Sequence, residues 1–126
     1  MNYLVQLKLA SRPNTPQEGT VFIEQFILPT LELCKKLEAE KKIVAGGPLS
    51  GAIALSLIVN AESVQELDDL ITSLPVWPRM ETTVTPLSTF DVRIQAVRAR
   101  LEQLRLEQVR LEQVRLEQLK TQGGVR

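Results

Sequence analysis

The chain has 126 residues, 44% of them hydrophobic and 24% charged, and its 15 Lys and Arg balance 15 Asp and Glu. That length fits one domain plus an appendage. With no histidine and one cysteine, Cys34, the chain excludes a Ser-His-Asp triad, a Cys-His pair, the usual structural zinc sites and an intramolecular disulfide.

Neutrality hides an asymmetry: residues 1–90 carry a net charge of −3 and residues 91–126 carry +3. The basic tail alternates Arg with Glu and has no interleaved aromatics, so nucleic acid is not an expected partner. No apolar run is long enough to span a bilayer, and Met1-Asn2-Tyr3 opens no signal-peptide pattern. A cytoplasmic protein without a membrane partner is therefore expected, in keeping with the lone cysteine. Gly46-Gly47-Pro48 lacks the Gly-Lys-Ser/Thr of a phosphate loop, and no cofactor or metal is expected.

From the N-terminus, Asn2–Ala10 reads as a strand with Tyr3, Val5, Leu7 and Leu9 on one face and Leu4, Gln6 and Lys8 on the other. Thr15-Pro16-Gln17-Glu18 is a capping box with proline at the first helical position. The helix it opens should reach about Lys42 and bury Phe22, Phe26, Leu33 and Leu37, with Pro29 kinking or breaking it. Residues 43–47 form a short strand, and the apolar stretch Ala52–Val59 reads as a central strand covered on both faces. Ser63-Val64-Gln65-Glu66 is a second capping box, followed by a buried stripe of Val64, Leu67, Leu70, Ile71 and Leu74. Pro75 and Pro78 end that helix and should hold Val76-Trp77 extended. Residues 81–87, rich in Thr and Val, form the last strand.

The order strand, helix, strand, strand, helix, strand predicts an α+β fold over residues 1–88. It is a ferredoxin-like antiparallel sheet with both helices on one face. The other face, apolar at Ile53 or Ala54, Leu55 and Val84, should be covered by a second copy. Residues 89–126 form a helical extension. Its stripe of Ile94, Val97, Leu101 and Leu104 gives way to a five-residue phrase repeated four times, beginning at Leu101, Leu106, Leu111 and Leu116. Leu, Glu, Gln, Arg and Lys all favour helix, but five residues advance the helix by about 140° beyond a full turn. The repeat thus reads either as an oligomerisation arm or as a helical tandem expansion without a partner.

Ser73-Leu74-Pro75-Val76-Trp77-Pro78-Arg79-Met80 and the following Val84-Thr85 strand resemble the muconolactone delta-isomerase family. The resemblance extends over roughly residues 1–88 in element order. It implies a dimeric α/β barrel, homo-oligomers (dimers or higher), and a proton transfer that shifts a double bond in a small lactone carboxylate. Family members carry histidines near the first and second strands; this chain has none, and no catalytic residue is carried across. Read directly, such an isomerase needs a base and a cation or hydrogen-bond donors for the developing enolate. Glu81 and Glu24 are the candidate bases. Gln6, Lys8, Ser56 and Arg79 are candidate substrate-binding groups, with Trp77 as an aromatic anchor. For the polar and charged groups a structural role at the surface is the competing reading; for Trp77 it is an interface or cavity anchor. Whether the chain is an enzyme stays open between an isomerase of a small organic acid or lactone held between paired sheets and a non-catalytic assembly or ligand-binding protein.

Overall fold

A computed structural model of the chain describes residues 1–124, with side chains as far as Thr121. The chain divides into two compact units, Met1–Leu87 and Ser88–Arg126. In the first, strands β1 (Asn2–Leu9), β2 (Ile43–Pro48), β3 (Ala54–Asn60) and β4 (Met80–Pro86) form one antiparallel sheet in the order β2-β3-β1-β4. The helices are α1 (Pro16–Phe22), α2 (Leu28–Ala39) and α3 (Val64–Ser73). This is the ferredoxin-like split βαβ arrangement. Tyr3, Val5, Leu7, Leu55, Leu57 and Val59 meet Leu37, Leu67, Leu70, Ile71 and Leu74 in one core on the helical side of the sheet.

Both capping boxes form. Thr15 Oγ1 accepts from the Glu18 amide and Ser63 Oγ from the Glu66 amide. Each glutamate reaches back to the residue before the cap: Glu18 Oε2 accepts from the Asn14 amide at 2.8 Å, and Glu66 Oε2 from the Glu62 amide at 3.0 Å.

Pro29 does not break its helix. A π-helical segment, Ile23–Ile27, joins α1 to α2, and the Leu28 amide bonds the Ile23 carbonyl. Widening the turn beside a residue that offers no N–H accommodates the proline without a break. The helix ends at Ala39 rather than Lys42. Lys41 takes a left-handed conformation (φ 62°) while the Lys42 amide bonds the Leu37 carbonyl and the Lys41 amide the Glu38 carbonyl. This Schellman ending normally uses glycine. Lys41→Gly is expected to raise stability by about 0.5–1 kcal/mol, the left-handed cost less glycine's chain entropy. A urea midpoint at or below wild type would contradict that.

Several expectations are corrected. Val64, at the first position of α3, is 71% exposed, so the buried stripe begins at Leu67. Phe26 is half-buried rather than core. Strand β3 is fully covered along its helical face; on the other face Ala54, at the strand's start, is buried while Ser56 and Ile58 are only half-buried. Leu55 and Val84 do not belong to the open face: they pair with Leu7 and Val5, which point into the core, and opposed residues share a face. The connector after α3 is coiled, not extended. Its 3-10 turn Trp77–Arg79 follows Val76 in the right-handed helical region, with the Trp77 amide bonded to the Leu74 carbonyl at 2.9 Å.

The second unit contains α4, Phe90–Gly124, capped by Thr89, whose Oγ1 accepts from the Val92 amide at 3.2 Å. Every side chain of α4 up to Thr121 is exposed. Among the described residues none of its Glu–Arg pairs closes to ion-pair distance; the salt bridge present is Lys42–Glu40 at 3.8 Å. No described helix is long and apolar enough to cross a membrane.

Candidate ligand cleft

Pairing of β1 with β4 places the end of the first strand beside the start of the last. Leu9 lies opposite Met80, and the Ala10 amide bonds the Arg79 carbonyl at 3.1 Å. The loop leaving β1 and the turn entering β4 are thereby brought to the same end of the sheet. Between them and the α1–π segment lies a cleft of about 710 Å³. Phe22 and Phe26, their ring centroids 6.0 Å apart, contribute its aromatic surface. The Arg79 guanidinium sits 5.1 Å from the centre of the Phe26 ring, a cation–π placement that orients it without an ion pair. Ser11, Arg12, Asn14, Gln17 and Glu18 complete the polar lining, and Glu18 is its single carboxylate.

A second cavity, of about 160 Å³, lies between α2 and the sheet. Its lining is apolar except for Thr30, and that hydroxyl is spent. It donates to the Phe26 carbonyl at 2.6 Å and accepts from the buried Val76 amide at 3.0 Å. The cavity thus has no spare side-chain polar group with which to orient a carboxylate.

The residues singled out by sequence do not form one cluster. Gln6, Lys8, Ser56 and Glu81 lie together on the open sheet face, where Gln6 is paired with Ser56 and Thr83, and Lys8 with Glu81. Arg79 is not with them; it lines the cleft on the 3-10 turn. Trp77, 39% exposed on the same turn, lines neither cavity, and Glu24 is an exposed residue of the π segment that lines neither. Sequence reading missed Arg12 and Glu18 as site residues. Cys34 is partly buried against the core, and desolvation raises its thiol pKa, so it is no ready nucleophile. Among the described residues no cluster of three or more His, Cys, Asp or Glu gathers to hold a metal.

A family model for muconolactone delta-isomerase matches residues 1–93. The chain belongs to that family. The match takes in the whole sheet unit and the first residues of α4, and leaves the pentad repeat outside. Among solved structures, muconolactone isomerase superimposes with a TM-score of 0.60 at 23% identity, over 71% of this chain and 90% of its own. The 5-chloro-2-hydroxyhydroquinone dehydrochlorinase of Burkholderia phenoliruptrix AC1100, solved with 2,5-dihydroxybenzoquinone, superimposes with a TM-score of 0.55 at 25% identity. That match covers 72% of this chain and 97% of the other. A comparison with curated protein sequences finds no match. Family membership makes this a muconolactone isomerase-like protein, and the histidine-free composition means that any proton transfer here relies on other groups.

Proposed function

We propose that the cleft binds a small, unsaturated cyclic acid such as a lactone carboxylate and shifts its double bond by proton transfer. The observation that carries this reading is the pairing of two guanidinium-bearing residues, Arg12 and Arg79, with one carboxylate, Glu18, around a phenylalanine-lined cleft. A guanidinium suits a carboxylate by its planar, forked donors. In this reading Arg12 holds the acid group, and Glu18 takes a proton from the carbon next to the unsaturated system. Arg79 stabilises the resulting enolate charge, and Glu18 returns the proton to the far carbon. The step conserves atoms and electrons and needs no cofactor. The family match and the dehydrochlorinase bound to a dihydroxybenzoquinone support a small oxygenated ring as ligand class.

The reading includes self-association and a cytoplasmic setting, in which Cys34 stays reduced. The open sheet face, with Leu4, Ile58 and the Gln6–Ser56 row, is assigned to a second copy. On that face Lys8 and Glu81 would border the space between paired sheets rather than act on substrate. A second reading, ligand binding without turnover, is favoured by one observation: the Glu18 carboxylate already accepts the Asn14 amide.

Purified protein supplied with muconolactone and followed by absorbance separates the two. The first reading expects turnover that Glu81→Gln leaves unchanged and that Arg79→Ala weakens by at least about tenfold in kcat/KM, the scale of one lost charge-assisted hydrogen bond. Binding without turnover selects the second reading. Absence of both rejects the cleft as a site for this class of ligand.

A further inference from the structure

We propose that the first part of α4 is a docking seam for a second copy of this chain, and that the two helices run antiparallel. Phe90, Ile94, Val97, Leu101 and Leu104 follow one another at spacings of four, three, four and three residues, the heptad seam of a coiled coil. All five are exposed, Phe90 at 89%. The next position in that rhythm is Gln108; Leu111 returns to the seam face, but the two positions after it are Arg115 and Gln118, and the five-residue period turns Leu106, Val109 and Val114 to other sides of the helix. The seam thus runs from Phe90 into the first five-residue phrase, which supplies Leu101 and Leu104, and breaks down over the later ones.

Charge decides the direction. In a parallel pair the residues flanking the seam would set Arg93 against the second copy's Arg98, and Arg100 against its Arg105, like charges throughout. In an antiparallel pair Ile94 faces the second copy's Leu104 and Val97 faces its Leu101. The flanks then match Asp91 with Arg105 and Arg93 with Glu107, each contact occurring twice by symmetry. Only the central Arg98 and Arg100 meet their own copies. Opposite charges at both ends against like charges at the centre favour the antiparallel arrangement. Two heptads make a short coil, so this seam adds to any association through the sheet units and raises their effective local concentration.

The test uses the full chain with Cys34→Ser, so that one introduced cysteine reports alone. Arg98→Cys, lying beside its own copy across the antiparallel centre, should form a disulfide-linked dimer on mild oxidation. Glu112→Cys, in the pentad region, should not. Adding Leu101→Glu to the Arg98→Cys chain should reduce the linked fraction at least tenfold. Arg105→Asp alone should also reduce it, and combining Arg105→Asp with Asp91→Arg should restore it. No linkage through Arg98→Cys overturns the proposal, as does linkage through Val97→Cys in its place, which marks a parallel pair. Equal linkage through Glu112→Cys, or linkage indifferent to Leu101→Glu, overturns it as well, by showing that the seam is not the contact.

Discussion

Replacing Gly46 with alanine is expected to destabilise the domain by roughly 2–5 kcal/mol, combining the cost of a left-handed L-residue with that of overpacking. Gly46 has a φ of 104°, and a Cβ there would collide with the Ser56 carbonyl oxygen and lie 2.9 Å from Leu57 Cα. Both obstacles are backbone of the neighbouring strand and cannot turn aside as a side chain could. Gly46 pairs directly with Leu57, so relief would require moving β2 away from β3. Since domains of this kind are stable by about 5–15 kcal/mol, the loss would be visible as a large fall in the urea midpoint. Gly47→Ala is the control, because a Cβ at Gly47 meets nothing within 4 Å. Equal midpoints for the two variants would show that the collision at Gly46 is absorbed.

Glu18→Gln is expected to lower kcat on a muconolactone by about 10²–10⁴-fold, the range for loss of a positioned general base. The substitution is suited to the question because Glu18 has two jobs that glutamine separates. A glutamine carbonyl can still accept the Asn14 amide, as glutamine does in capping boxes, so the start of α1 should hold. It cannot take a proton. Unchanged thermal stability with a lost rate would assign Glu18 to chemistry. A retained rate would remove it as the base, and lost stability with retained rate would leave it a helix cap alone. Glu81→Gln, on the open face opposite Lys8, serves as the matched carboxylate control.

The fold was legible because its signals are local. Strand alternation in Asn2–Leu9, two capping boxes and the helix-ending prolines fixed the element order, and the stretch around Ser73–Leu87 pointed to the family the model match bears out. What escaped were features set by register. Arg12 and Arg79 are far apart in sequence and share a cleft because β1 pairs with β4, a pairing that no local pattern announces. Glu18 was legible as a capping residue, and that role obscured any other. The assignment of Leu55 and Val84 to the open face failed for a related reason. The nearly continuous apolar β3 carries no alternation to phase Leu55, and the Thr-rich β4 has too little apolar contrast to phase Val84, so in both the side is settled by the neighbouring strand. Lys41 could not be anticipated as a helix stop, because glycine is the residue that usually marks one.

The π segment between Phe22 and Leu28 acts as a phase adjuster. One extra residue in a helical turn rotates everything before it by about 100° relative to everything after. Here α2 turns Leu33 and Leu37 toward the sheet while α1, on the same run of chain, turns Glu18 and Phe22 toward the cleft. Removing one residue from Ile23–Ile27 would restore a regular helix with its core contacts on α2, but would swing the cleft-lining face of α1 away from Arg79. The irregular turn thus lets a single helix serve two directions at once.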